Sequence, residues 1–372
     1  MSDAPAATPA AAVAAPDPTL IARAAAVLRA GGLVAFPTET VYGLGAAALQ
    51  PAAVRRIFAA KGRPADHPVI VHVLDAAALD AWAIDVPAAA RRLAQRFWPG
   101  PLTLVLRRAP LAHDLITGGQ DTVGLRCPAH PWARALLAAF GAPIAAPSAN
   151  SFGRVSPTLA DHVRADLGEK PAGRVDLILD GGPCPVGIES TIVDLSTGRP
   201  RLLRPGTVTR AQLQAVLGEP VPDAPREAPR ASGRLDSHYA PRTPLHLVAA
   251  DALAATLAAL AGQRVALLAP AALLPAAGGV PAQVAPQSPG EYARALYGLL
   301  HRLDAAAADR IVVVAPPAGA DWEGVHDRLR RAAVPLPAAR GQAAAAGGVT
   351  LYWRQSAGRA TGAKRASAGR LV

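Results

Sequence analysis

Between Glu219 and Arg242 the chain loses all hydrophobic periodicity and becomes rich in Pro, Arg, Ala and Ser. A stretch of that composition has nothing with which to build a core and reads as an extended linker. It divides the 372 residues into a larger and a smaller folding region, each long enough to bury a core. Before the linker, short apolar runs and amphipathic runs follow one another irregularly. Strands are expected at 33–36, 69–73, 102–106, 123–126, 144–146, 175–179, 191–194 and 202–204. Helices are expected from Asp17-Pro18 to Gly31-Gly32, and over 51–60, 87–96, 131–140, 157–166 and 210–217. Several strands follow one another directly, which favours a twisted, mixed sheet over a regular doubly wound one. After the linker, strands at 244–248, 265–269 and 311–314 alternate cleanly with helices at 251–261, 292–303 and 321–332. That alternation predicts a small three-layer α/β domain of Rossmann-like build.

The division expected is therefore a disordered start over 1–16, an α/β domain over 17–218, a linker over 219–243, a small α/β domain over 244–354 and a basic disordered tail over 355–372. The start carries Asp3 and no basic cluster, so it does not read as a secretory signal. The longest uncharged run, Arg264 to Glu291, is broken by Pro270, Pro275, Pro281, Pro286 and Pro289, and no membrane span is expected. Cys127 and Cys184 have no paired spacing, so neither a zinc site nor a disulfide framework is indicated, and a reducing cytoplasm fits. The net charge of +11 invites a nucleic-acid reading, but only Lys61, Lys170 and Lys364 among 38 basic residues are lysine. Such an Arg-for-Lys bias accompanies the Ala, Pro and Gly enrichment and is compositional. Arg354, Arg359, Lys364, Arg365 and Arg370 form an acid-free tail, read first as a solvated tail and second as a weak contact for tRNA or double-stranded RNA.

Five segments carry candidate chemistry, and none is decisive by itself. Pro37-Thr38-Glu39-Thr40-Val41-Tyr42-Gly43-Leu44-Gly45 follows a strand, where open α/β sheets bind ligands; a polar helix-capping turn would look the same. Lys61-Gly62-Arg63-Pro64 sets an ammonium and a guanidinium in one stiff loop, suited to polyphosphate or to a helix C-terminus. His72 sits in an apolar strand, where a structural role is commoner than a catalytic one. Arg126 ends another strand and must be paired there, by a ligand carboxylate or by a protein one. Ser148-Ala149-Asn150-Ser151 offers small hydroxyl and amide groups, while Ser156 before Pro157 reads as a helix cap compatible with anion binding. The loop Asp180 to Thr191 has three glycines for close backbone approach, and its Cys184 lacks a base and is no nucleophile candidate. There is no GxxxxGK[ST] loop and no GxGxxG, so a phosphate site would have to be built differently.

Taken in order, Pro37–Gly45, Lys61–Pro64, Ser148–Asn150, Ser190-Thr191-Ile192-Val193-Asp194 and Arg204-Pro205-Gly206 resemble the signature segments of the YrdC-like threonylcarbamoyl-AMP synthases. Ser237-His238-Tyr239-Ala240-Pro241 resembles the linker motif of the long, two-domain form, and the resemblance runs over about residues 18–355. It implies a large domain with a deep, basic, concave face, a Rossmann-like small domain and a linker lying over the active site. It implies a nucleotidyltransferase that joins L-threonine and bicarbonate as a carbamate and transfers AMP to it from ATP. Pyrophosphate leaves, Mg²⁺ is held mainly by the ATP phosphates, and the product goes to a tRNA threonylcarbamoyltransferase acting beside the anticodon. By motif, Thr40, His72, Arg126, Ala146 and Ser190 look like the threonine pocket. Lys61, Arg63, His67, Thr122, Ser148, Asn150, Ser156, Arg204, His238 and Tyr239 look like the ATP side. His67 stands where the family pattern leads one to expect Asn. No catalytic acid or base and no protein-held metal is implied. The competing reading is a non-enzymatic double-stranded RNA-binding or ribosome-assembly protein.

Overall fold

Local chemistry starts the fold as the sequence predicts. Asp17 Oδ1 accepts the amides of Thr19 (2.8 Å) and Leu20 (3.3 Å), and Pro18 opens helix α1 (Pro18–Arg29). The stripe Ile21, Ala24, Ala25 and Leu28 is buried. The computed structural model describes residues 14–233, 238–277 and 279–336; the expected tail, residues 337–354 of the expected small domain, and Ser237 lie outside them.

The first region holds strands β1 (Val34–Phe36), β2 (Gly43–Ala47), β3 (Val71–His72), β4 (Leu102–Arg107), β5 (Thr122–Arg126), β6 (Ile144–Ala145), β7 (Leu177–Ile178), β8 (Thr191–Asp194) and β9 (Arg201–Arg204). Its further helices are α2 (Pro51–Lys61), α3 (Leu79–Trp82), α4 (Ala88–Phe97), α5 (Asp114–Thr117), α6 (Pro131–Phe140), α7 (Ala160–Asp166) and α8 (Arg210–Leu217). The nine strands form one sheet, β7-β1-β2-β6-β3-β5-β4-β8-β9. β1–β7, β3–β5 and β4–β8 pair parallel and the other neighbours antiparallel, so the sheet is mixed as expected.

Strand alternation gives this sheet two unlike faces. Ala35, Leu44, Ala46, Val71, Leu104, Leu125 and Val193 share a face with the apolar sides of α2, α4 and α8. On the other face α1 and α6 cover Val34, Phe36 and Ile144. From β3 to β8 that same face bears His72, Thr103, Thr122 and Arg126, and no helix among the described residues covers it. Instead the linker crosses there, with Ala228 packed on Val105, Ile192 and Leu203.

The second region has a four-stranded, all-parallel sheet in the order β10-β13-β11-β12: β10 (Leu245–Val248), β11 (Val265–Ala269), β12 (Ala282–Val284) and β13 (Arg310–Val314). α9 (Leu253–Ala259) packs on one face, and α10 (Pro289–Ala305) and α11 (Glu323–Ala332) on the other. The core under α10 and α11 also takes in Val41, Val155 and Ile188 of the first region and Tyr239 of the linker. Gly187 shows how tightly the regions dock. Its φ is +86°, and a Cβ there would lie 2.4 Å from Arg294 Cα and 2.5 Å from the Ala293 carbonyl, both on α10.

Three expectations are corrected. The helix expected from Pro157 begins only at Ala160, with Leu159 at its cap position. The Pro157 carbonyl is engaged by the Tyr42 amide (2.8 Å), which keeps this stretch extended, so Ser156 is not a helix cap. β2, unforeseen, is all Gly, Leu and Ala; its small residues leave room for Phe36 and Ile144, whose atoms a Cβ on Gly45 would meet at 2.7 and 2.9 Å. β12, also unforeseen, is a short edge strand pairing only with β11.

Gly187→Ala is expected to lower unfolding stability by about 2–3 kcal/mol, from strained φ and forced retreat of α10. Urea denaturation of the full chain measures it; a loss below about 0.5 kcal/mol would contradict this docking.

Candidate functional site

Seven of the residues assigned to ATP converge on one pocket. Lys61 ends α2, and Gly62 in the left-handed conformation turns the chain so that Arg63 follows it inward. The Lys61 ammonium, 3% exposed, donates to the carbonyls of Ser148 (2.6 Å) and Asn150. Burial, and then the neighbouring Arg63, push its pKa well below the usual lysine range. Arg63 donates from Nη2 to the Pro68 carbonyl (2.9 Å) and to Ser232 Oγ (3.3 Å), and lies 5.5 Å from the Phe152 ring centroid. Arg204 donates from Nε and Nη2 to the Ser190 carbonyl (3.1 and 2.9 Å) and from Nη1 to the Ser232 carbonyl (2.9 Å). Asn150 Nδ2 donates to the carbonyls of Ser151 and Arg154, both at 2.9 Å.

The linker closes this pocket. His238 Nδ1 accepts the Tyr239 amide (3.0 Å), and Tyr239 takes φ +63°. Burial drives the His238 pKa down to about 3, with Lys61, Arg63 and Arg204 acting in the same direction and Glu189 against it. Ser232 and Gly233 press in from the other side, leaving a space of about 20 Å³, room for about one water. Further along, Arg230 and Gln120 exchange hydrogen bonds (2.6 and 3.2 Å), and Thr122 lies beneath in a second small space. His67 is peripheral, its ring edge-on to Phe152 at 5.3 Å. Ser156 does not line the pocket; its hydroxyl donates to Glu189 Oε1 (2.5 Å).

Of the residues assigned to threonine, His72 and Arg126 lie on the adjoining strands β3 and β5, and Thr40, Ala146 and Ser190 lie in loops at strand ends. Arg126 is paired with a protein carboxylate: Nη2 meets Glu39 Oε1 at 2.7 Å, both side chains buried, and Glu39 Oε2 accepts the Ala129 amide (3.0 Å). His72 stands opposite Arg126 in the β3–β5 ladder. Burial and Arg126 lower its pKa to about 3, so the ring is neutral. Thr40 Oγ1 bonds Thr38 Oγ1 (2.9 Å), and the Ala146 amide donates to the Ile70 carbonyl (3.0 Å). Ser190 joins the two sets: Oγ bonds Thr103 Oγ1 (2.8 Å) and also receives Arg204 Nη2 (3.2 Å). Cys184 is buried, and burial raises its thiol pKa, which suits no nucleophile.

Glu189, given no role by sequence reading, is the centre of a buried charge cluster. Oε2 accepts Arg328 Nε and the Tyr297 hydroxyl, each at 2.8 Å, and Arg328 also donates to the carbonyls of Glu189 (3.0 Å) and Pro205 (2.8 Å). Burial alone would raise the Glu189 pKa; Arg328 and then Arg204 outweigh it and bring it down to about 2. The Arg328 guanidinium also lies 5.3 Å from the Tyr239 ring centroid. Nothing local in the sequence marks this pair, because its members are 139 residues apart.

Comparison with known proteins places this geometry. A family model described as telomere recombination, covering the Sua5, YciO and YrdC proteins, matches residues 26–206, and a model of the threonylcarbamoyl-AMP synthase C-terminal domain matches residues 208–334. The crystal structure of Pyrococcus abyssi Sua5 complexed with L-threonine superposes with TM-score 0.79 at 38% identity, covering 85% of this chain and 94% of that one. The chain belongs to the Sua5/YciO/YrdC family. Curated relatives called threonylcarbamoyl-AMP synthase, from P. abyssi and Bacillus subtilis, are each 48% identical over 223 and 230 residues. Those alignments span 59% and 60% of this chain and 64% and 65% of the relatives' own lengths. Both regions of the fold, and not the first alone, thus have counterparts in the family.

Two outcomes follow from the charge geometry. Arg328→Ala leaves Glu189 buried and unpaired and should cost about 3–5 kcal/mol, whereas Glu189→Leu with Arg328→Met should cost markedly less. Urea unfolding of the three proteins checks this; equal losses would contradict the pairing. The second concerns pH. His72 and His238 stay neutral to about pH 3, and His130 and His162 to about pH 4. In the unfolded chain each takes a proton near pH 6.5, so the unfolded state binds protons that the folded state refuses. Stability should fall as pH drops below about 6.5, by up to about 1.4 kcal/mol per pH unit for each ring. Thermal melts from pH 8 to pH 4 should show this slope, reduced in His238→Gln.

Proposed function

We propose that the protein synthesises L-threonylcarbamoyl-AMP from L-threonine, bicarbonate and ATP, with release of pyrophosphate, for threonylcarbamoyladenosine formation in tRNA. The observation that carries this reading concerns buried polar atoms without a hydrogen-bond partner. Ten such side-chain atoms occur among the described residues, and five belong to the assigned set: Arg63 Nε, His72 Nδ1, Arg126 Nε, Asn150 Oδ1 and Tyr239 Oη. Buried polar groups are otherwise almost always satisfied, so this concentration marks where polar ligands go. Arg126 Nε and the adjacent His72 Nδ1 suit the carboxylate and a polar hydrogen of an amino acid. Asn150 Oδ1 and Tyr239 Oη suit a nucleoside, beside the Lys61, Arg63 and Arg204 charges for its phosphates. The P. abyssi Sua5 crystal structure is a complex with L-threonine, which supports an amino-acid ligand for this fold.

The amine of threonine attacks bicarbonate, and water leaves, giving the carbamate. A carbamate oxygen then attacks the α-phosphorus of ATP, and pyrophosphate leaves. The protein's share is positioning and neutralisation of charge rather than covalent catalysis. Arg126 and His72 hold the amino acid on β5 and β3, and Lys61, Arg63 and Arg204 offset the phosphate charge. Glu189, the carboxylate lining the pocket, is committed to Arg328, and no group of three or more His, Cys, Asp or Glu among the described residues could hold a metal. We read Mg²⁺ as part of the substrate, carried on the ATP phosphates. The space of about 20 Å³ is far below the size of ATP, so Ser232, Gly233 and Tyr239 must withdraw for binding and return afterwards. The second region, which we read as Rossmann-like, sets that motion by holding Tyr239 between Tyr297 and Arg328. We place the reaction in the cytoplasm, upstream of a tRNA threonylcarbamoyltransferase; no helix among the described residues is long and apolar enough to cross a membrane.

The test is pyrophosphate release with ATP, Mg²⁺ and bicarbonate, with and without L-threonine. Threonine- and bicarbonate-dependent release is expected. Arg126→Ala should raise the threonine KM by about 10–100-fold, the loss of a charge-assisted contact. Absence of release from folded protein that binds ATP would overturn the reading and turn attention to double-stranded RNA binding.

A further inference from the structure

Behind the pocket, where the two regions meet, lies a groove of about 540 Å³ that the reaction above does not use. Its walls are residues 151–155 and α7 on one side, and residues 240–242 and α10 on the other. At its base the rings of His162 on α7 and His301 on α10 stack, with centroids 3.8 Å apart at 27°. The Thr158 amide donates to His162 Nδ1 (3.2 Å), which leaves the ring proton on Nε2 as a free donor. His301 Nε2 is engaged by the Ser156 carbonyl at 3.2 Å.

The charges are arranged unequally. Both carboxylates in the groove are turned to protein donors. Asp166 accepts the amide and hydroxyl of Ser151 (2.7 and 2.5 Å), and Asp304 accepts the amides of Arg242 (3.0 Å) and Thr243 (2.8 Å). Arg174 is spent as well, on the carbonyls of Ala60 (2.8 Å) and Asp166 (2.7 Å). Arg154 and Arg242 line the groove from opposite walls, and their side chains make no hydrogen bond or ion pair among the described residues. Two unspent forks and an imidazole N–H around one concavity match a tetrahedral oxyanion, which guanidinium binds bidentately. The volume is that of a small-molecule site.

We propose that this groove is a second anion site, taking a small phosphorylated molecule through Arg154, Arg242 and His162, apart from the pocket assigned to ATP. The proposal does not depend on the synthase reading. The wall between the two is thin: Asn150 Nδ2 donates to the Arg154 carbonyl (2.9 Å), and the Ala240 amide to the Gly153 carbonyl (3.0 Å). A phosphate held by Arg154 and Arg242 therefore braces the linker strand that carries His238 and Tyr239 from behind.

Calorimetric titration of the full chain with inorganic pyrophosphate at constant ionic strength tests this. The wild type should show two classes of site. Arg63→Ala should weaken one, and Arg154→Ala with Arg242→Ala should weaken the other at least tenfold. Arg154→Lys with Arg242→Lys should recover part of that loss. Both arginines are exposed and unpartnered, so circular dichroism should show the fold unchanged. Superimposable isotherms for the wild type and the double Ala variant would overturn the proposal, as would a single class of site abolished by Arg63→Ala alone.

Discussion

The pair Glu189–Arg328 is the contact on which the arrangement of the molecule depends. A buried ion pair is weak evidence for stability, because desolvation cancels most of its attraction. Its value here is geometric. One carboxylate fixes Ser156 on the first region, Tyr297 on α10 and Arg328 on α11, while the Arg328 guanidinium reaches the backbone at Glu189 and Pro205. Ser190, the next residue, then holds Arg204 through its carbonyl and hydroxyl. The docking of the second region and the placement of Arg204 in the candidate pocket thus rest on two consecutive residues of one loop. An apolar pair could dock the regions as firmly, but it would not orient the loop.

The second constraint is the polar face of the large sheet. His72, Thr103, Thr122 and Arg126 cannot lie under a helix without unsatisfied groups; the linker covers Thr103 and Thr122, while Glu39 pairs with Arg126 and Phe36 stands edge-on to His72. The linker's small Ala residues pack on Val105 and Ile192, while Ser232 bonds Arg63, Arg204 and the Pro68 carbonyl. Such a cover buries little apolar surface and makes a handful of hydrogen bonds. Opening it therefore requires far less than unfolding an element of the core.

What the sequence revealed follows the range of the forces involved. The Asp17 cap, the glycine after α2 and the apolar runs of β11 and β13 are local, and parallel strands buried on both faces read as unbroken Val, Ile and Leu. β2 was hidden because Gly and Ala carry little strand signal, and its strand character comes from Phe36 and Ile144 across the sheet. Ser156 looked like a cap because Ser before Pro usually is one. Its actual partner lies 33 residues on, and the Tyr42 amide claims the Pro157 carbonyl that a helix would need. The partner of Arg126 was open to two readings for the same reason, since Glu39 is 87 residues away. Motif order located the candidate pocket, but Glu189, Phe152 and Ser232, which complete its wall, have no signature of their own.

The pocket's cations are held in two different ways, and the difference bears on what each can do. Lys61 and Arg204 are anchored by carbonyl oxygens, which orient a cation without neutralising its charge. On the proposed function, their positive potential is set in place for phosphate before any ligand arrives. Arg126 is anchored by a full carboxylate, so a second carboxylate arriving there shares the guanidinium with Glu39 and meets its negative charge as well. Such a site binds a carboxylate modestly unless a positive group comes with it. A zwitterionic amino acid brings an ammonium that a simple carboxylic acid lacks. On the proposed function, Glu39 would act as a filter that favours an amino acid over an isosteric carboxylate.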